Sequence, residues 1–207
     1  MKIGLVPISA KPYHAGHHAL VTTASAENDE VLLYVSVSDR KRKGELSISG
    51  ADMKKIWDEE IENILPGNVT PVYGGSPVRH VFDVLQNAEE KLVSGKYQGH
   101  EYTVYSDPTD TSQNYSTASR QKYFPTLEDK GYVTFAAEAN PDAFTRGKGT
   151  PNVSGTAMRS ALNACDIESF RAGMPPGINV ENVYDILCNK NMAEATLRSL
   201  ITSIARR

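Results

Sequence analysis

The chain has 207 residues, of which 40% are hydrophobic and 23% are charged, and its formal net charge is −3. This size allows one substantial core, and the balanced charge provides no strongly basic surface for nucleic acid or for an anionic membrane. No apolar run reaches the length of a transmembrane helix, and the first residues are interrupted too soon for a secretory signal peptide.

The first half of the chain alternates apolar runs with segments of helical spacing. Residues 2–8 (KIGLVPI) predict a buried strand, residues 16–27 a helix, and residues 31–37 (VLLYVSV) a second buried strand. Residues 52–65 carry apolar side chains at helical spacing, and a Pro-Gly pair ends that helix. Because Trp57 belongs to this apolar series, we expect it in the core rather than at a base-stacking surface.

The second half continues the alternation. It predicts three further strands, at residues 69–73, 102–105 and 132–136. It predicts helices at residues 77–93, from residue 154 onward, and once or twice within residues 179–204. Strands that alternate with helices are typical of a parallel sheet covered on both faces. We therefore expect an α/β fold, a Rossmann-like, doubly wound, five-stranded parallel sheet with a helical C-terminal extension.

One domain over residues 1–207 fits this alternation, with the core over about 1–165 and the helical part over about 166–207. Two polar stretches, residues 106–118 and 138–153, are long for connections within a compact domain, which makes them candidate substrate loops as well as ordinary surface loops.

The two cysteines, Cys165 and Cys188, form no close pairing motif. Such cysteines are typical of reduced thiols, and we expect a cytoplasmic protein.

Three of the five histidines fall within five residues, in the segment KPYHAGHHAL at residues 11–20. His14 and His17 are three residues apart where the first helix begins, so their side chains can face the same side. Gly16 permits close approach to the backbone, and the amides and dipole of a helix N-terminus attract negative charge. The segment therefore predicts phosphate binding at the carboxyl end of the first strand, where such folds bind ligands.

A metal site and purely structural histidines are the alternatives. His17 and His18 are adjacent and point in different directions, and no His-Glu-x-x-His or Cys-x-x-Cys pattern supports zinc. General acid or base chemistry lacks a serine, cysteine or carboxylate partner in the local sequence. Phosphate binding fits best, and we expect no metal held by protein side chains.

A second segment, VSGTAMRSAL at residues 153–162, has the same character. Ser154 and Thr156 offer hydroxyl groups and helix N-terminal amides, and Arg159 offers a planar fork for phosphate oxygens. On its own the segment is equally compatible with an ordinary capped helix. In combination with the histidine segment it becomes a more specific indication of phosphate binding, because both segments are predicted to lie at strand-to-helix junctions.

The pair of segments resembles the nucleotidylyltransferase superfamily. Residues 14–17 match its His-x-Gly-His signature, and residues 153–159 match its Ile-Ser-x-Thr-x-x-Arg signature with valine in place of isoleucine. Within this superfamily, the two segments most resemble those of nicotinamide-mononucleotide adenylyltransferases and cytidylyltransferase-like proteins. Signatures and strand order together span residues 3 to about 162. Neither a GxxxxGK[ST] loop nor a strand-linked GxGxxG occurs.

The resemblance implies transfer of AMP from ATP to a phosphate-bearing acceptor, with release of pyrophosphate and with Mg²⁺ held through phosphates and water. It implies catalytic roles for His14, His17 and Arg159. It implies nucleotide binding by Ile8, Ser9, Lys11, Gly16, Asp107, Ser154, Gly155 and Thr156. We expect small-molecule substrates, no nucleic-acid or membrane partner, and a homo-oligomer.

Two residues depart from the family pattern. Lys11 stands where relatives often carry an uncharged or acidic residue, and it is either a triphosphate contact or a solvated lysine. Asp107 follows Tyr105 and Ser106, whereas relatives of the nicotinamide-mononucleotide type often have Gly-x-Asp. The missing glycine weakens the transfer of that role to Asp107.

The acceptor is the least constrained element. Five residues at strand-to-helix junctions are candidates for its binding, namely Arg40, Arg42, Gly74, Gly75 and Arg79. Nicotinamide mononucleotide is the favoured acceptor. The open alternatives are cytidylyl transfer to a sugar or alcohol phosphate, adenylyl transfer to pantetheine phosphate or flavin mononucleotide, and a non-catalytic nucleotide-binding module.

Overall fold

A computed structural model describes residues 1–43 and 45–188. Its centre is a five-stranded sheet in the order β3-β2-β1-β4-β5, in which every pairing is parallel. The strands are β1 (Lys2–Ile8), β2 (Glu30–Val35), β3 (Val69–Tyr73), β4 (Glu101–Val104) and β5 (Val133–Phe135). The predicted Rossmann-like α/β fold is therefore confirmed.

Helices cover both faces of the sheet. Four helices are α1 (Ala15–Glu27), α2 (Gly50–Ile56), α3 (Pro77–Val93) and α9 (Gly155–Asn163). Six further helices of four to seven residues are α4 (Pro108–Asn114), α5 (Thr117–Tyr123), α6 (Pro125–Asp129), α7 (Ala136–Ala139), α8 (Pro141–Phe144) and α10 (Ile167–Ala172). Residues 180–188 are also helical and form α11, and the remainder of the helical segment predicted for residues 179–204 lies outside the described residues.

The sheet separates two hydrophobic clusters because the side chains of β1 alternate between its faces. Val6 and Ile8 belong to one cluster, which is completed by α1, α2, α9, α10 and α11. Ile3 and Leu5 belong to the other, which is completed chiefly by α3 and α6. Trp57 is 1% exposed in the first cluster, as its helical spacing predicted.

The strand order reverses between β1 and β4. Successive strands β1, β2 and β3 extend the sheet in one direction, whereas β4 pairs with the other side of β1 and β5 follows it. The loops that leave the carboxyl ends of β1 and β4 therefore diverge to opposite sides and leave a crevice between them.

The polar stretch at residues 106–118 is not one irregular loop, because α4 occupies most of it and α5 begins within it. Asp107 caps α4 by accepting a hydrogen bond from the Asp110 amide, and Pro108 occupies the first helical turn. The stretch at residues 138–153 contains the single turn α8. Both helices lack an apolar stripe, so hydrophobic spacing alone gives no signal for them.

The second predicted helix also differs in detail. The regular part of α2 ends at Ile56, and the chain continues through a π-helical segment (Trp57–Ile61) and a 3₁₀ turn (Glu62–Ile64).

None of the helices in the described part of the chain has the length and apolar character that a membrane crossing requires.

Candidate functional site

A cleft of about 820 Å³ lies at the carboxyl ends of β1 and β4, where the strand order reverses. All the residues predicted to be catalytic or nucleotide-binding line it, namely Ile8, Ser9, Lys11, His14, Gly16, His17, Asp107, Ser154, Gly155, Thr156 and Arg159. The two sequence segments are about 140 residues apart along the chain, and the fold brings them to one cavity.

The connection from β1 to α1 folds tightly into the floor of the cleft. Ala10 has a φ of +47°, in the left-handed region, and the Lys11–Pro12 peptide bond is cis. His14 has extended backbone geometry and caps α1, since its Nδ1 accepts a hydrogen bond from the Gly16 amide at 3.2 Å. A Cβ atom at residue 16 would lie 3.1 Å from the His14 ring, so glycine fits this close approach.

The imidazoles of His14 and His17 are stacked in the cleft. Their ring centroids are 3.8 Å apart and their planes differ by 21°. Tyr13 is also stacked with His17, with a centroid distance of 5.7 Å and planes that differ by 22°. The His17 Nδ1 atom is buried and has no hydrogen-bond partner within the described residues. A buried ring nitrogen without a partner is uncommon in folded proteins, and this one belongs to a residue that lines the cleft.

Both histidines have strongly lowered pKa values. Burial, and then the positive charges of Arg146 and Arg159, lower the pKa of His14 to about 4. Burial, the neighbouring His14 and Arg146 hold the pKa of His17 well below its usual value. The pair is therefore neutral near pH 7, and an incoming anion would raise its proton affinity.

His18 lies outside the cleft lining. Its Nδ1 is 3.2 Å from the Tyr13 hydroxyl oxygen, and its ring meets Tyr13 edge-on. The side chains of His17 and His18 therefore lie in different surroundings, as expected for neighbouring positions on a helix.

Arg159 joins the two sequence segments. Its Nη1 donates to the Lys11 carbonyl oxygen at 2.9 Å, and its Nη2 donates to the Thr156 hydroxyl at 3.0 Å. Ser154 caps α9 by accepting a hydrogen bond from the Ala157 amide at 3.1 Å. The first turn of α9 and the loop after β1 are thus held together by one buried guanidinium group.

Lys11 is a buried cation in the same wall. Its Nζ donates to the hydroxyls of Ser36 and Ser38 at 2.9 and 3.2 Å, and its residue exposure is 5%. Burial, followed by the charge of Arg40, lowers the pKa of the Lys11 ammonium. Of the two interpretations of Lys11, a solvated surface lysine does not fit this placement.

Arg40 also lines the cleft, beside Arg159. One carboxylate oxygen, Oε2 of Glu45, accepts from Nε and Nη2 of Arg40 at 3.0 and 2.8 Å and from Nε of Arg159 at 2.9 Å. The spacing of charges in the loop after β2 does not reveal this arrangement, because it depends on an arginine 114 residues away from Glu45.

The other candidates for acceptor binding, Arg42, Gly74, Gly75 and Arg79, lie outside the cleft lining. The two glycines form a turn with positive φ after the edge strand β3, and the His80 Nε2 lies 3.0 Å from the Gly74 carbonyl oxygen. Arg79 pairs with Asp83 at 2.7 Å on the surface of α3. The edge position of β3, two strands from β1, separates this junction from the crevice.

Sequence reasoning missed Arg146, which lines the cleft from the segment between α8 and α9. Its charge contributes to the lowered pKa values of His14 and His17. The signal available in the sequence was an arginine shortly before the second segment, in TRGKGTPNV. Its relation to the histidines is purely tertiary.

The wall that follows β4 is acidic. Asp107 and Asp110 line the cleft at the start of α4. Burial, followed by the nearby charge of Asp107, raises the pKa of Asp110. The cleft therefore has cationic groups on the loops after β1 and β2 and on α9, and two carboxylates after β4, and the charge of Arg146 acts on both the histidines and Asp110. No cluster of three or more potential metal-ligating side chains occurs within residues 1–43 and 45–188.

Comparison of the chain with models of protein families gives no match, and comparison with curated proteins gives none either. The cleft and its chemistry are therefore the features of the chain that bear on function.

Proposed function

We propose that the protein is a nucleotidylyltransferase that transfers AMP from ATP to a phosphate-bearing acceptor, with nicotinamide mononucleotide as the favoured acceptor. The observation that carries the proposal is the convergence of the stacked His14–His17 pair and Arg159 on one cleft at the switch point of the sheet. This arrangement supplies imidazole and guanidinium donors, together with two helix N-termini, to one anionic ligand.

In the proposed reaction an oxygen of the acceptor phosphate attacks the α-phosphorus of ATP in line with the leaving group. The new P–O bond forms as the bond to the β-phosphate oxygen breaks, and pyrophosphate leaves with that electron pair. No covalent bond to the protein is needed, so the protein contributes position and charge. His14 and His17 would donate hydrogen bonds to the α-phosphate and leaving group, and Arg159 would bind the outer phosphates.

The donor set of the cleft fits Mg²⁺ held by phosphate oxygens and water. Asp107 and Asp110 are the carboxylates that line the cleft in the described part of the chain, and two carboxylates do not form an all-protein cage. These residues would hold the cation only through its water ligands. When bound, Mg²⁺ neutralises charge on the phosphates.

The charge distribution of the cleft supports an acceptor that carries a positive group. The pyridinium ring of nicotinamide mononucleotide is such a group, and the side of the cleft with Asp107 and Asp110 would attract it. Its phosphate would lie beside the α-phosphate of ATP, near His14, His17 and Arg146. A sugar phosphate has no positively charged group and would gain only the second interaction.

The test is to incubate the full chain with ATP, nicotinamide mononucleotide and Mg²⁺ and to measure NAD and pyrophosphate. We expect both products in equal amounts, with ATP preferred over CTP. Turnover with CTP and an alcohol or sugar phosphate, with nicotinamide mononucleotide inert, would instead indicate a cytidylyltransferase. If ATP, CTP, GTP and UTP all fail to yield pyrophosphate with every phosphate acceptor, the enzyme proposal is overturned.

A further inference from the structure

The loop between β2 and α2 contributes a second guanidinium group to the cleft. The backbones of Arg40 and Ile48 pair as an antiparallel bridge, with hydrogen bonds of 2.8 and 3.0 Å in the two directions. Ile48 is 1% exposed and anchors this bridge in the core. Arg40 therefore projects from a fixed backbone position, and its side chain is 18% exposed.

Glu45 brings Arg40 and Arg159 together. Two guanidinium groups repel one another, and the charge of Arg40 contributes to the lowered pKa of Arg159 after the larger effect of burial. The shared Glu45 oxygen offsets this repulsion by accepting hydrogen bonds from both. Both arginines line the cleft and Glu45 does not, so the carboxylate lies behind the cationic surface that the cleft presents.

We propose that Arg40 binds the outer phosphates of the triphosphate together with Arg159, and that it does not bind the acceptor. The inference rests on the proposed function and adds a residue to its nucleotide site. Nη1 and Nη2 of Arg159 are already bonded to the Lys11 carbonyl and the Thr156 hydroxyl. Arg40 bonds Glu45 through Nε and Nη2, and its Nη1 has no partner within the described residues, which leaves donors for a phosphate oxygen.

The experiment separates phosphate binding from turnover. Calorimetric titration with inorganic tripolyphosphate should give a Kd that rises about tenfold or more in Arg40→Ala, the scale of losing one charge-assisted contact. Lys43→Ala removes the same charge from an exposed position in the same loop and should change the Kd less than twofold. Arg40→Lys should restore binding only in part, because an ammonium cannot bond Glu45 and a phosphate with a planar fork.

Steady-state kinetics then assign the substrate. Arg40→Ala should raise the KM for ATP and leave the KM for nicotinamide mononucleotide unchanged. A raised KM for the acceptor alone, or an unchanged Kd for tripolyphosphate, would overturn the assignment. Failure of the proposed reaction would show itself differently, since tripolyphosphate would still bind and lose affinity in Arg40→Ala while no NAD formed.

A separate observation concerns the two cysteines, which are the only two in the chain. Both are free thiols, and their sulfur atoms are 3.8 Å apart although 23 residues separate them in sequence. Cys165 is exposed and follows α9 with a φ of +54°, and Cys188 is buried in α11. The Cys188 thiol also lies 3.9 Å from the carbonyl oxygen of Leu162, in the last turn of α9.

We infer that Cys165 and Cys188 are a modification site at which an oxidant of the small-disulfide class forms an intramolecular disulfide. The Cys165 thiolate attacks a sulfur of the small disulfide and releases one thiol, and Cys188 then displaces the second as the Cys165–Cys188 bond forms. Two protein thiols are oxidised and one small disulfide is reduced to two thiols. The sulfurs must approach by about 1.8 Å to reach bonding distance. The bond would link α11 to the end of the helix that carries Arg159.

Treatment of the full chain with oxidised glutathione tests this inference. We expect a monomer that has lost the mass of two hydrogen atoms, a Cys165–Cys188 peptide in the digest, and a melting temperature raised by about 5–10 °C. Cys188→Ser should instead keep one glutathione on Cys165, without the rise in melting temperature. A wild-type product that keeps glutathione on Cys165, or one linked between two chains, would overturn the inference.

Discussion

The imidazole rings of His14 and His17 lie stacked, with centroids 3.8 Å apart, at the point where β1 gives way to α1. Two positively charged imidazoles would repel one another strongly at this distance, and the nearby Arg146 and Arg159 add to the repulsion. The stack is therefore a pair of neutral rings in the free protein. This protonation state has consequences for stability and for ligand binding.

The first prediction concerns the pH dependence of stability. His14 has a pKa of about 4 in the folded protein and an ordinary value near 6.5 when unfolded, so between these values the unfolded chain binds more protons. Its contribution to the free energy of unfolding is fully present above about pH 6.5 and is lost as the pH falls toward 4. A shift of this size corresponds to about 3 kcal/mol.

His14→Asn isolates this effect, because asparagine is a good helix N-cap and does not titrate. Urea unfolding followed by circular dichroism at a series of pH values should show a smaller loss of stability on acidification in the variant than in the wild type. Equal losses in the two proteins would contradict the lowered pKa of His14.

The second prediction is that anion binding protonates the histidine pair. A polyphosphate next to His14 favours the charged imidazole and raises its pKa, so binding near pH 6 should take up protons. Calorimetric titration with tripolyphosphate in buffers of different ionisation enthalpy measures this uptake. His14→Asn should take up fewer protons than the wild type. The same uptake in both proteins would mean that the anion binds away from His14.

The fold was predictable because its signals are local. Largely buried strands such as β1 and β2 carry apolar runs, and α3 begins at a proline and shows helical spacing. In contrast, α4 was not predicted, since its sequence PTDTSQN contains no apolar residue that could mark a buried face. Its helical state is supported by the Asp107 cap and by packing against α7.

The cleft was predictable in part for a related reason. His14 belongs to a short motif at the junction between β1 and α1, and a parallel sheet binds ligands at that edge. Arg159 also belongs to a short motif, but the predicted strand-to-helix junction for that motif was wrong, because α7 and α8 lie between β5 and α9. Arg146 carries no motif, and the link from Arg40 through Glu45 to Arg159 arises only from tertiary packing. Gly74 and Gly75 have the right local pattern but follow an edge strand, which places them outside the crevice.

The third prediction distinguishes the adjacent histidines. His17→Ala should lower kcat for nucleotidyl transfer by about a hundredfold or more, the scale of removing one donor that stabilises developing charge. His18→Ala is the matched control, since it removes an imidazole one position away that lies outside the cleft lining. Its kcat should stay within about threefold of the wild type, with both variants folded by circular dichroism. An effect of His17→Ala on KM alone would reduce its role to ground-state binding.

The fourth prediction concerns Gly155, the first residue of α9. A Cβ atom there would lie 2.9 Å from Nη1 of Arg159, which is too close for the guanidinium to keep its hydrogen bond to the Lys11 carbonyl. The helix itself favours alanine over glycine by about 1 kcal/mol in its interior and by less at its first position. Gly155→Ala should therefore leave the melting temperature nearly unchanged and weaken tripolyphosphate binding about fivefold or more. Gly67→Ala places the same methyl group in open space and should change neither quantity by a comparable amount. If Gly155→Ala binds tripolyphosphate as tightly as the wild type, the orientation that Lys11 and Thr156 impose on Arg159 is not the one that phosphate binding requires.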